Sequence, residues 1–193
     1  MPRWIFEPGH TAAGFRTRHM MVSWVRGQFS DVHGWLEFDV DKPTELALEA
    51  TIQANRLWTG EHDRDEHLRA PDFLDVKKHG TITFESTKSS CVGAADFDVS
   101  GNLTIRGISR PVLLHMHYLG KWGTPFWTEA GDMGPVTRVG FAGETRINRN
   151  DFDVSWNGQM ENNGVVVSDE VLITVDVEAM LETELKKAQA GAA

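Results

Sequence analysis

The sequence predicts an all-β fold of antiparallel strands whose dry faces are buried in a sandwich or in a closed barrel. Apolar residues recur at every second position through most of the chain, which is the period of a strand. Polar residues fill the intervening positions, as in sheets with one dry and one wet face. About eight stretches carry this pattern, and that many one-sided strands in one domain must cover one another.

A short piece at 3–7 is a candidate to pair with the sheet, and the first full strand is expected at 11–18. The next runs over 24–40 and is long enough that a bend is expected near Gly34. At 44–55, Leu46, Leu48, Ala50 and Ile52 share one face, and Glu45, Glu49, Thr51 and Gln53 share the other. The pattern breaks at 63–75, "DRDEHLRAPDFLD", where a short helical cap is predicted. Asp63 is placed to cap its start with Glu66 three residues on, and Asp65 and Arg69 are i,i+4 partners. Pro71 ends the helix by pushing Ala70 towards an extended conformation. Leu68, Phe73 and Leu74 give the segment an apolar side, so it should lie across the sheet or close one end of a barrel.

Alternation resumes at 80–88 with Ile82 and Phe84 on the dry face. It continues at 95–106 with Phe97, Val99, Leu103 and Ile105, and at 109–120 with Val112, Leu114 and Met116. Strand 137–148 puts Val139, Phe141 and Ile147 opposite Glu144 and Arg146. The last strand, 169–180, puts Val171, Ile173, Val175 and Val177 opposite Thr174, Asp176 and Glu178. One domain over 1–180 is therefore expected. A tail at 181–193 is expected to be partly helical or disordered, with Glu184 and Lys187 near helical spacing and a mobile end.

Composition narrows the function. The 193 residues suffice for one substantial core, and seven Trp with ten Phe against one Tyr supply large apolar surface. A net charge of −9 argues against non-specific nucleic-acid binding, which depends on neutralising phosphates. It also disfavours spread-out contact with anionic lipid. Cys91 is the single cysteine, so no internal disulfide can form, and its expected role is packing or surface. "MPRWIFEPGH" has no apolar core of a signal peptide, and apolar runs reach only about three residues, too short for a membrane-spanning helix. If the chain starts where it is read, a cytoplasmic location is expected; a truncated start would leave the periplasm open.

Chemical motifs are sparse. His62 and His67 are five apart, so on a helix their rings diverge by about 140°. His115 and His117 share a strand face, but it is the wet one opposite Val112, Leu114 and Met116. No metal site is expected. Neither a G-x-S-x-G elbow nor a P-loop occurs, and no catalytic residue set or cofactor is expected. Arg3, Arg16, Arg18 and Arg26 lie in residues 1–30 against Glu7 alone. They read either as solvated strand faces or as a docking point for an anionic head group such as pyrophosphate. On the second reading Arg16 and Arg18 join the ligand-binding candidates.

Five segments occur in order: "GHTAAGFRTRHMMVSWVRGQF", "RDEHLRAPDFLDVKKHGTITFEST", "GNLTIRGISRPVLLHM", "GFAGETRINRNDFDV" and "VSDEVLITVDVEA". Together they resemble the YceI-like family of lipid-binding barrels, from about Trp4 to Ala179. The resemblance implies an eight-stranded antiparallel, extended lipocalin-like β-barrel whose interior takes a long amphiphile, a polyisoprenoid lipid or an isoprenoid quinone. It implies no common catalytic set, and a homodimer is compatible with it. On this reading the inward residues touch the ligand: Phe15, Phe29 and Ile52 early in the chain, Leu68 and Phe73 from the cap, then Ile82, Phe84, Leu103, Ile105 and Leu114. Phe141, Ile147, Phe152, Val171 and Ile173 complete the expected lining.

The sequence departs from the family pattern in three places. Asp153 stands where the family has Gly after "DF", and His79-Gly80 replaces an aromatic-Pro pair. Trp58 and Trp127 are bulky enough to shorten a cavity. Relatives with an export signal make the compartment a separate question. Two other functions stay open at this stage: an enzyme acting on an apolar small molecule, using His19 or Asp63, and a structural or stress protein without lipid.

Overall fold

The computed structural model describes residues 1–129, 131–161 and 164–190. Eleven strands occupy chain order: β1 (Arg3–Phe6), β2 (Ala12–His19), β3 (Ser23–Phe29), β4 (Val32–Phe38), β5 (Leu46–Gln53) and β6 (Leu57–Trp58). After helix α1 (His62–Arg69) come β7 (Thr81–Cys91), β8 (Asp96–Ile105), β9 (Ile108–Thr128), β10 (Gly131–Asn148) and β11 (Val167–Leu181), and helix α2 (Glu182–Ala190) ends the described chain.

Every strand pairing is antiparallel, and the sheet closes on itself. The ring runs β1-β4-β5-β7-β8-β9-β10-β11 and returns to β1 through Trp4 opposite Leu181. The result is an eight-stranded barrel. β2, β3 and β6 extend the first three ring positions as a flap: β2 continues along β11, β3 pairs with β2, and β6 pairs with β3 at Phe29–Leu57. The break between β3 and β4 falls at Asp31, which sits at φ 65, not at Gly34. Gly34 instead permits close approach, because a Cβ there would lie 2.2 Å from the Glu49 carbonyl oxygen.

β9 and β10 run on far past the expected ends, to 128 and from 131. Glycine and proline in "KWGTPFW" and "GDMGPV" hide the alternation there. The tail is anchored. Leu185 of α2 packs with Val136 and Met180, and the Glu184 carboxylate accepts hydrogen bonds from the Thr137 backbone N–H (2.6 Å) and hydroxyl (3.1 Å). Glu184 is thus engaged by the barrel, and Lys186 pairs with Glu182 at 2.8 Å. The mobile end expected at 191–193 lies outside the described residues.

Candidate functional site

The two ends of the barrel differ. The chain enters one end at 1–3, 38–46, 91–96, 128–129 and 131, where α2 also docks; the other end carries 19–23, 54–81, 105–108, 148–161 and 164–167. Near the first end, inward residues meet and fill the lumen. Phe38, Phe97 and Phe141 are fully buried, and the Phe38 ring lies 5.6 Å from Phe97, 5.1 Å from Tyr118 and 5.2 Å from Phe141. Trp4 tightens the cluster by donating its indole N–H to the Phe38 carbonyl at 3.0 Å. Burial raises the Tyr118 pKa, with Asp41 adding to the effect.

Towards the other end the same inward parity leaves space. The cavity between the walls is lined by residues from β2 to β11 and by the cap, yet its volume is only about 200 Å³. The space is therefore a narrow slot, suited to a chain more than to a compact molecule. Its wall is apolar. Phe15 and Phe29 meet at 5.7 Å on the flap side. Ile52, Ile82, Phe84, Leu103, Ile105 and Leu114 line it from β5, β7, β8 and β9. Ile147, Phe152, Val171 and Ile173 line it from β10 to β11, and Leu68 and Phe73 close it from the cap.

Three expected lining residues lie elsewhere. Phe141 belongs to the aromatic plug, because it faces inwards beyond a register shift at Gly140, on the filled side of the lumen. Arg16 and Arg18 point outwards, since Phe15 and Thr17 take the inward parity of β2. Their guanidinium groups lie 5.2 and 5.1 Å from the Trp24 ring on the outer face. Trp58 and Trp127 are exposed and shorten nothing.

The cap is held by a polar frame. Glu61, not Asp63, caps α1: its carboxylate accepts from the Asp63 (3.1 Å) and Arg64 (2.6 Å) backbone N–H groups, and these bonds lower its pKa. Asp65 is buried, accepts from the Thr59 backbone N–H at 2.9 Å, and also binds the Thr59 hydroxyl. Arg69 therefore pairs with Glu66 (2.8 Å) and reaches the Asn55 and Leu57 carbonyls. Ala70 is extended (ψ 165) before Pro71, which stops the helix. Arg106 binds the Pro71 and Phe73 carbonyls and pairs with Asp153 at 3.1 Å. Asp153 keeps the left-handed backbone (φ 57) that glycine adopts more easily, and gains the Arg106 pair. His67 bonds to Asp72 at 2.7 Å and lies edge-on to Phe73 and Trp156.

Sequence reasoning missed Arg149, although parity signals it: after Gly143, Thr145 and Ile147 the next position of the same parity, just past the end of β10, is an arginine. Arg149 is buried against the cavity and spends all five N–H donors. Nε donates to Ser168, the two Nη atoms donate to the Val154, Trp156 and Val167 carbonyls, and one Nη meets Asp169 at 3.4 Å. Burial lowers its pKa against the opposing pull of Asp169. No donor is left for a ligand, so this arginine ties Val154, Trp156, Val167 and Ser168 together beside the cavity. Thr11 and Thr17, also in the wall, give their hydroxyls to the Glu178 carbonyl and to the Ser168 and Glu170 carbonyls.

Histidines expected on the wet face are there: His115 and His117 each sit 2.7 Å from Asp98 and Asp96 on the neighbouring strand. Among the described residues no three His, Cys, Asp or Glu side chains converge as a metal site, and no helix is long and apolar enough to cross a membrane.

The sequence matches the YceI-like domain family over residues 4–179. A UPF0312 protein of Ectopseudomonas mendocina is 34% identical over 146 residues, covering 76% of this chain and 72% of the relative. Among solved structures, Burkholderia cenocepacia BcnA superposes with a TM-score of 0.71 at 21% identity, covering 90% of this chain and 98% of that one. A polyisoprenoid binding domain from Saccharophagus degradans superposes with a TM-score of 0.64 at 11% identity, covering 94% and 99%.

Proposed function

The chain belongs to the YceI-like domain family, and on that premise we propose that it holds one long isoprenoid chain, of a polyprenyl lipid or an isoprenoid quinone, in the open half of its barrel. One observation carries the reading: a narrow apolar slot whose only charged wall residue among those described, Arg149, has no donor to offer a guest. Such a wall rewards hydrocarbon and rejects anything that needs a polar partner. Phe15, Phe29, Ile52, Phe84, Leu103 and Ile173 are the contacts, and the polar head stays outside the slot. The polyisoprenoid binding domain of Saccharophagus degradans, with a similar barrel, supports the ligand class.

Energetics favours a carrier or store over a tight trap. A tail of ~40 carbons gains on the order of 30 kcal/mol on leaving water, at about 0.8 kcal/mol per methylene. The tail's alternative is a bilayer, which is as apolar as the slot, so most of this gain cancels in exchange. Among the described residues no group in the wall is arranged for chemistry on the guest, and the function proposed is binding without turnover.

Organic extraction of gently purified protein, followed by mass spectrometry, tests the reading. An isoprenoid recovered at about one per barrel is expected. Protein that carries none and takes none from isoprenoid-doped vesicles contradicts it, as does conversion of an added isoprenoid.

A further inference from the structure

Residues 8–30 hold three arginines and no carboxylate, in a chain of net charge −9. The β2–β3 hairpin gathers these charges. Its register sets Arg16 opposite Arg26 and Arg18 opposite Trp24, so all four side chains share the outer face. Like charges directly opposite on paired strands are unfavourable. Of the nine arginines elsewhere, six (Arg56, Arg69, Arg106, Arg138, Arg146 and Arg149) each have a carboxylate within 4 Å, while Arg64 and Arg110 donate to neighbouring oxygens and Arg3 lies over Trp35. Among the described residues no ion pair includes Arg16, Arg18 or Arg26, and the buried Nε of Arg16 has no hydrogen-bond partner. The β11 carboxylates nearest the hairpin arginines in register, Asp169 and Glu170, are taken by Arg149 and Arg146.

The hairpin tip is apolar and outside the core. Met20, Met21 and Val22 are 42%, 56% and 81% exposed. Met20 and Met21 both have positive φ, 48° and 62°. A turn chosen for folding alone would place Asn or Gly there, because a side chain with a Cβ is strained in that region. The tip thus spends backbone strain to present methionines to the outside. It stands at the capped end of the cavity: Met20 donates its N–H to the Val166 carbonyl at 2.8 Å, and Thr17 and Val167 beside it line the slot.

We propose that this hairpin docks the capped end of the barrel on an anionic bilayer. Met21 and Val22 enter the interface, Trp24 sits at head-group depth between its two guanidinium neighbours, and Arg16, Arg18 and Arg26 bind phosphates. The negative remainder of the molecule is repelled by the same surface, so only this face can approach. The proposal goes beyond the ligand reading and does not depend on what fills the slot.

Flotation of the full chain with isoprenoid-free vesicles tests it. Binding is expected to vesicles of equal parts phosphatidylcholine and phosphatidylglycerol, to fall with added salt, and to be weak on phosphatidylcholine alone. Arg16→Gln with Arg18→Gln should lower the affinity for the mixed vesicles by about tenfold or more. Met21→Ser with Val22→Ser, at exposed positions that the fold does not need, should weaken binding to both vesicle types. Wild-type protein that stays off the mixed vesicles overturns the proposal and leaves the tip to a protein partner; so does unchanged binding in either double variant that melts like the wild type.

Discussion

Phe141 and Leu103 both point into the barrel, yet one is packed on every side and the other borders open space. In the half around Phe141, rings reach across the lumen and interlock, with Phe38 within 5.6 Å of three others. In the half around Leu103 the inward positions include Ala13, Ala50, Val171, Ile173 and Val175, which stop short of one another. An eight-stranded wall is about wide enough to be filled by side chains or to hold one guest, and here each half takes one of those outcomes. Side-chain reach, not strand pattern, makes the difference.

The strongest way to break this contrast is to put the same charge in both halves. Phe141→Asp buries a carboxylate with no partner and should cost more than about 4 kcal/mol, abolishing a cooperative thermal transition. Phe84→Asp faces the slot, where water can follow the charge, and should cost about 2 kcal/mol while ending lipid uptake. Equal melting temperatures for the two variants would mean that the halves are not different.

A second variant sharpens the contrast at the cap. Arg149→Met strands four backbone carbonyls and Asp169, and should destabilise by about 3–5 kcal/mol in denaturant titration. Amide exchange should rise over 153–161 and 164–168 while the plug strands keep their protection. Uniform acceleration would make Arg149 part of the global core.

How much of this was legible in the sequence follows from the same contrast. Alternation defines which residues face inwards, so Leu103, Ile105, Val171 and Ile173 could be read directly. It carries no information on depth along the barrel, so parity alone puts Phe141 with the guest, whereas its ring packs against Phe38 and Tyr118 in the plug. Arg16 and Arg18 were legible as a charge cluster, but β2 parity already turned them outwards. The "RDEHL" stretch was readable as a helix with a Pro71 stop. Its true cap, Glu61, and the buried Asp65 were not, because several acidic residues compete there and only the position of Thr59 chooses between them. Asp153 at positive φ fits the glycine that the family resemblance implies at this position.

The smallest expected effect concerns that cap. Glu61 has a folded pKa below its ordinary value of 4.5, chiefly through the Arg64 and Asp63 backbone N–H groups. A depressed carboxylate pKa contributes stability that is present above the ordinary value and is lost as pH falls through the folded one. Acidification below about 4.5 should thus speed amide exchange at Asp63 and Arg64, and Glu61→Gln should flatten that pH dependence. An unchanged profile in Glu61→Gln would remove Glu61 from the cap.

The central claim, that the open half is room for a hydrocarbon chain, is tested most directly by filling it. Native mass spectrometry of wild type and Ile173→Trp, loaded from the same isoprenoid-doped vesicles, reads occupancy barrel by barrel. One bound isoprenoid on the wild type and none on a stably folded Ile173→Trp is the predicted result; equal occupancy of both would place the guest somewhere other than the slot.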